Sequence, residues 1–146
     1  MPLDDSVGAL IQLQREGKIR HVGVSNVDVS ELAAARRVAT IVSVQNRYNV
    51  MDRTSEPLLS ECERDGIAFL PWFPLSGGSD AARVSGAIAE VAARHQATPA
   101  QVALAWLLAR TPVMLPIPGT FSLAHLEENL QAAHLRLSAA DRRALD

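Results

Sequence analysis

Chemistry in this 146-residue chain is concentrated in a few short polar groups. Ser25-Asn26 sets a hydroxyl beside an amide, and Gln45-Asn46 supplies two more amides. Each of these side chains carries both a donor and an acceptor. Trp72 stands in Pro71-Trp-Phe-Pro74-Leu-Ser-Gly77-Gly78, a flat ring followed by two glycines that let a backbone approach a ligand closely. Gly119-Thr120 runs into Ser122, a good helix cap, so free N–H groups and the positive end of a helix dipole should meet there and accept an anion. Taken singly, Ser and Asn are as well explained by turns. Their value lies in recurring at the ends of successive strands.

Other reactive side chains are scarce. The chain has one lysine, Lys18, one tyrosine, Tyr48, and one cysteine, Cys62, which falls in an expected helix and reads as a structural thiol. His21, on a short strand, reads as structural too. A single cysteine rules out an internal disulfide and suits a reducing, cytoplasmic setting. Net charge is −2 with scattered arginines, which recommends neither nucleic acid nor an anionic membrane as partner. No apolar run reaches the 18 or so residues a membrane span needs, and the Met-Pro-Leu-Asp-Asp start has no signal-peptide pattern. No metal site is expected.

The elements that must position these groups alternate. Apolar residues at 3, 7, 10, 11 and 13 predict an amphipathic helix over 3–16, stopped at Gly17. Ile19 to Val24 is a short strand. Asp28-Val-Ser-Glu31 is a capping box opening a helix to about Ala39, and Ile41 to Gln45 is a β-branched strand. Pro57 to Asp65 predicts a helix ending at Gly66, followed by a strand from Ile67 to Trp72. Arg83 to His95 is the next helix. Thr98-Pro-Ala-Gln101 is a second capping box, with Pro at the first helical position of a helix to Arg110. Val113 to Ile117 is expected as a fourth strand, Ser122 caps a helix through His134, and Ser138 caps the last one.

Strands separated by helices pair in parallel, with right-handed crossovers. An open dinucleotide-binding sheet should show G-x-G-x-x-G after a strand, and no such run exists. Ser25-Asn26, Gln45-Asn46, Trp72 and Gly119-Thr120 all fall where a strand ends. In parallel strands those ends share one face, where barrel enzymes build their sites. A full barrel needs about 250 residues and eight strands. The expectation is therefore a single domain, residues 1–146, made of four parallel strands alternating with helices as part of a barrel.

With Gly17-Lys18-Ile-Arg-His-Val-Gly23-Val-Ser25-Asn26, Gln45-Asn46-Arg-Tyr48-Asn49, Pro71-Trp-Phe-Pro74-Leu-Ser-Gly77, Pro116-Ile-Pro-Gly-Thr120 and His125-Leu-Glu-Glu-Asn129, the chain resembles the aldo-keto reductases, especially bacterial members. Five motifs in the family's order, spread along essentially the whole chain, carry the resemblance. It implies the C-terminal half of a TIM (β/α)₈ barrel, binding NADP(H), with NAD(H) also admitted. Ser25, Asn26 and Gln45 would hold the nicotinamide carboxamide, and Trp72 would stack on the ring. Asn46 and Asn49 would brace the loop. Backbone at Phe73, Leu75 and Gly77 would approach the pyrophosphate. Gly119, Thr120 and His125 would face the adenosine 2′-phosphate, with Glu128 and Asn129 near the adenine. The best-known members have lysine where Gly119 stands and arginine where His125 stands, so a permanent cation is replaced by a titratable one.

The resemblance also implies what the chain lacks. The family's tyrosine, lysine, aspartate and histidine that protonate the substrate oxygen belong to the half that precedes these motifs. Lys18 is expected on the face opposite the cofactor. Tyr48 is expected on the cofactor face, without a lysine partner, and in a packing role rather than a chemical one. No catalytic residue is therefore assigned, and a small carbonyl substrate is expected only if an N-terminal half is supplied. Exposed sheet edges predict self-association. A non-catalytic nucleotide-binding or regulatory module, or a remnant without function, is the alternative reading.

Overall fold

A computed structural model describes residues 3–75 and 86–146. The elements run α1 (Leu3–Arg15), β1 (Val22–Ser25), α2 (Val29–Val38), β2 (Ile41–Arg47), α3 (Glu56–Asp65), β3 (Ala68–Trp72), α4 (Gly86–His95), α5 (Pro99–Arg110), α6 (Leu123–Gln131) with a 3₁₀ turn at Ala132–His134, and α7 (Ala139–Leu145). Local chemistry explains most of these boundaries. Asp28, Thr98 and Ser138 each cap a helix through a reciprocal pair with Glu31, Gln101 and Asp141. Two N-terminal donors are satisfied at each box. Gly66 ends α3 with φ 67°, a left-handed conformation that glycine adopts without penalty.

The strands form a parallel sheet in the order β1-β2-β3. Ser25 lies opposite Gln45, Gln45 opposite Leu70, and Arg47 opposite Trp72, so the ends carrying polar residues are in step. Alternation along the strands separates two faces. Val22, Val44 and Phe69 are buried under the helices, while Gly23, Ser25, Ser43, Gln45 and Arg47 are half-buried or exposed on the other side. Gly23 is required by packing: a Cβ there would lie 2.3 Å from Ser43 Oγ and 3.0 Å from its carbonyl oxygen.

The expected fourth strand is reduced to one bridge. Phe69 donates to the Val113 carbonyl at 2.8 Å and accepts from Leu115 N–H at 2.8 Å, and Met114 is its bridge partner. Pro116 and Pro118 follow at once and have no N–H to continue the ladder. Residues 113–115 still lie in parallel beside β3. In and after this stretch, Leu115, Ile117, Phe121, Leu123, Leu126 and Leu130 are exposed.

The core lies between the sheet and the helices. In α5, residues 102–107 are all buried, so this helix is enclosed on every side. Trp106 stacks on Tyr48 with ring centroids 5.8 Å apart, and Tyr48 meets Phe69 edge-on at 5.9 Å. Tyr48 is fully buried, which corrects its expected place on the cofactor face. Its hydroxyl donates to Glu56, whose other oxygen accepts from Arg110. Burial, and then the Glu56 hydrogen bond, push the phenol well above the ordinary tyrosine range. Cys62 is buried in the same core, and desolvation with the charge of Asp65 behind it pushes the thiol up to about 11. At the far end, buried Asp141 accepts from Arg94 at 2.6 Å, meets His95 Nε2 at 2.9 Å, and closes the Ser138 cap. These donors, Arg94 foremost, hold its carboxyl well below the usual range. Among the described residues, no helix is long and apolar enough to cross a membrane.

Candidate functional site

Five of the expected ligand residues converge where β1, β2 and β3 end. The Gln45 carbonyl accepts from Ser25 Oγ at 2.8 Å and from the Asn26 N–H at 3.0 Å, tying the end of β1 onto β2. Asn46 points to the helix side, as its alternation requires. There it braces the same turn, accepting from Val27 N–H at 3.2 Å and donating to the Val27 carbonyl at 2.8 Å. Asn26 then takes φ 55°, a left-handed conformation that asparagine tolerates better than most residues. Its side chain turns toward β3, where the Trp72 indole N–H donates to Asn26 Oδ1 at 2.9 Å.

These bonds decide what each group can offer a ligand. Indole N–H is a donor only, so the Asn26 oxygen must face Trp72 and its NH₂ is left as a donor. Ser25 spends its proton on Gln45 and presents lone pairs. The Gln45 amide makes no side-chain hydrogen bond among the described residues and keeps both functions. One acceptor, one donor and one group of either kind therefore line up beside a half-exposed indole.

Phe73 follows Trp72 with φ 59°. For a bulky residue this is a strained conformation, and the neighbouring loop enforces it. Asn49 donates from Nδ2 to the Phe73 carbonyl at 3.1 Å, while its Oδ1 accepts from Met51 and Asp52 N–H groups at 2.9 Å each. The expected bracing role of Asn46 and Asn49 thus has a specific form. Leu75 is half-buried and packs against the core. Gly77 lies outside the described residues.

Sequence reading gave Arg47 no role, although it lies inside the Gln45–Asn49 motif. Two residues after Gln45, it shares that residue's face at the strand end. Its guanidinium lies 5.8 Å from the Trp72 ring centroid and 5.0 Å from that of Phe73, and its Nε pairs with Asp52 Oδ2 at 2.9 Å. Position two after an assigned ligand residue was the available signal.

Gly119, Thr120, His125, Glu128 and Asn129 form a second group at the start of α6. No described hydrogen bond or ring contact joins it to the first. Thr120 Oγ1 already accepts from Ser122 N–H at 3.1 Å, and Ser122 Oγ caps His125 N–H at 3.4 Å. Fewer backbone donors are therefore free for an anion than the Gly119-Thr120 pattern promised. Gly119 and His125 are exposed, and Glu128 and Asn129 are half-buried. The Glu128 backbone carbonyl accepts from Gln101 at 3.1 Å. Lys18 is exposed and pairs with Glu16 at 2.6 Å.

A site at the ends of parallel strands, in this motif order, matches one known family over residues 1–146, the aldo/keto reductase family. The chain belongs to the aldo/keto reductase family. Its architecture is the C-terminal half of that family's (β/α)₈ barrel. Pyridoxine 4-dehydrogenase of Escherichia coli is 46% identical over 136 residues, which are 93% of this chain and 47% of the relative. A thermostable aldo-keto reductase solved with the inhibitor epalrestat superposes with TM-score 0.90 at 35% identity, over 100% of this chain and 54% of that one. An aldo/keto reductase from Klebsiella pneumoniae, solved with NADP and acetate, gives TM-score 0.87 at 31% identity with the same coverage. The chain spans about half the length of the relatives it matches.

Proposed function

We propose that this chain is the NADP(H)-binding half of a carbonyl-reducing aldo-keto reductase, inactive until a complementary set of β/α units joins it. The observation that carries the reading is the hydrogen-bond state of the β1–β3 ends. A carboxamide needs an acceptor for its NH₂ and a donor for its C=O. Ser25 Oγ has lone pairs to give and Asn26 Nδ2 has protons to give, while Gln45 adds either function. Trp72, held by Asn26, offers its ring as the stacking surface. The residues present therefore fit the nicotinamide end of the dinucleotide. When bound, NADPH supplies the hydride.

The rest of the dinucleotide would run past Phe73, Leu75 and Gly77 to Gly119, Thr120, His125, Glu128 and Asn129. His125 would face the 2′-phosphate there, without the bidentate fork that an arginine would offer it. Among the described residues, neither Tyr48, buried against Trp106, nor Lys18, paired with Glu16, is placed to give a proton to a carbonyl at the strand ends. A missing general acid alone removes about 10² to 10⁴ in rate. The apolar side chains exposed beside the 113–115 edge, Leu115 and Phe121 among them, support docking of further β/α units there. By analogy with the Escherichia coli relative, an aldehyde of the kind formed by dehydrogenating pyridoxine is the first substrate to try.

Fluorescence titration of the 146-residue chain tests the reading. NADPH should quench Trp72, and Trp72→Phe should abolish most of that quenching while Trp106 emission remains. The first four β/α units of a close relative, supplied in trans, should then restore aldehyde-dependent oxidation of NADPH. Absence of quenching in the unmodified chain would refute the cofactor half of the proposal. Robust turnover by the chain alone would refute the catalytic half.

A further inference from the structure

We propose that Arg47 is an oxyanion anchor at the rim of this site, using its two terminal Nη groups to grip a phosphate or carboxylate. The inference rests on the dinucleotide reading only for where the ligand lies. The anchor itself is argued from Arg47 and its surroundings.

Arg47 is presented in a way that an ordinary surface arginine is not. Its ion pair with Asp52 is made through Nε, at 2.9 Å, so the inner edge of the guanidinium is held and the outer edge is left. Neither Nη group has a hydrogen-bond partner among the described residues, and the side chain is 49% exposed, so the fork opens to solvent. The planar group is positioned over two rings, 5.0 Å from the Phe73 centroid and 5.8 Å from that of Trp72, with the rings themselves 6.3 Å apart and inclined at 61°. Those contacts limit the rotations that would otherwise have to be frozen when a ligand binds.

The support behind the arginine is also fixed. Asp52 Oδ1 accepts from Thr54 N–H and Oγ1, at 3.2 and 2.9 Å, which leaves Oδ2 for Arg47. Asp52 N–H is held by Asn49 Oδ1, and the same Asn49 holds the Phe73 carbonyl. Arg47, Asp52, Asn49 and Phe73 thus close a ring of contacts around the strained Phe73 backbone. A guanidinium with its inner edge occupied and its outer edge free matches the paired oxygens of a carboxylate or phosphate, which it can bind bidentately.

Two sources of such an anion meet this rim. One is the phosphate of the dinucleotide beyond its nicotinamide riboside; the other is an anionic substituent on the carbonyl substrate. Binding to the 146-residue chain, read from Trp72 fluorescence at low and moderate salt, separates them. Arg47→Met keeps the stem over the rings and removes the fork, while Arg47→Lys keeps the charge and removes the bidentate geometry. Circular dichroism and the urea midpoint establish that each variant is folded.

If the anion is the dinucleotide's, Arg47→Met weakens NADPH about 10-fold or more and leaves reduced nicotinamide riboside within about 2-fold. If it is the substrate's, NADPH is unaffected and 4-carboxybenzaldehyde loses about 10-fold, while benzaldehyde does not change. In either case Arg47→Lys recovers only part of the loss. Equal binding of all four probes by the Met variant overturns the proposal, and full recovery with Lys overturns the fork geometry. Should the unmodified chain fail to bind NADPH, the dinucleotide reading falls by itself. Inorganic pyrophosphate and 4-carboxybenzaldehyde, compared between the parent chain and Arg47→Met, then still decide for or against the anchor.

Discussion

Replacing Asn26 separates backbone conformation from ligand chemistry at a single position. Asn26 has φ 55° and accepts the Trp72 indole N–H through Oδ1 at 2.9 Å, leaving Nδ2 free. Asn26→Ala loses that hydrogen bond, worth about 1 kcal/mol net. It also places an ordinary side chain in the left-handed region, which costs roughly 1–2 kcal/mol. The total is about 2–3 kcal/mol. Asn26→Gly loses the same bond and adds unfolded-chain entropy of about 0.5–1 kcal/mol, which is offset because glycine accepts the conformation freely. Its net cost is about 1 kcal/mol. Asn26→Asp keeps the acceptor and the turn preference and should remain within about 0.5 kcal/mol of the parent. Urea unfolding should therefore rank Asp above Gly above Ala, with Gly and Ala about 0.5–1 M apart at a slope near 2 kcal/mol per M. NADPH binding should follow a different order. All three variants lack the Nδ2 donor, so each should lose about 10-fold or more in affinity, the stable Asp variant included. Equal destabilisation by Ala and Gly would refute the conformational argument. Retained NADPH affinity in Asn26→Asp would refute the donor assigned to the carboxamide.

Tyr48 is the only tyrosine, so absorbance at 295 nm reports on it alone. Its raised phenol makes the folded state favour the neutral ring, and that stability is lost as pH rises past the unfolded value near 10. Tyrosinate should appear only together with loss of helical circular dichroism, and ionisation of Tyr48 in the intact fold would count against its burial. Cys62, with its thiol pushed up to about 11, should react with a disulfide reagent at pH 8 only after urea unfolds the chain; fast labelling of the native state would contradict this. Asp141 has a depressed carboxyl, so its contribution is present above the unfolded value near 4 and disappears as pH falls below it. Asp141→Asn should lower the stability by about 2 kcal/mol at pH 7 and flatten the acid transition, and an unchanged acid profile would show that the Arg94–His95–Asp141 group is idle.

Much of this architecture is written in short-range signals. Asp28, Thr98 and Ser138 cap their helices with the partners three residues on, and Gly66 closes α3, because capping depends only on residues within one turn. Strand-end placement of Ser25, Asn26, Gln45 and Trp72 is equally local, and parallel pairing then gathers them without further instruction. The fourth strand was expected over 113–117 and is shortened to one bridge; the signal overlooked was Pro116 and Pro118, which remove two donors from any ladder through that segment. What tertiary structure decided is which partners the side chains meet. Tyr48 lies two residues after Asn46 and shares its inward face, but the slot it fills, between Trp106 and Phe69 with Glu56 at its hydroxyl, is assembled from distant segments. Arg47 became a candidate anchor only when β3 set Trp72 and Phe73 beside it and the Asn49 turn delivered Asp52 to its Nε. At the start of α6 the Ser122 cap on His125 N–H follows from the residue pattern, whereas the Thr120 hydroxyl taking Ser122 N–H depends on a rotamer that the pattern does not specify. Caps, strand ends and the faces of alternating strand residues are settled by neighbours in sequence; the partners that Tyr48 and Arg47 meet on those faces come from distant segments, which exist as neighbours only after the chain has folded.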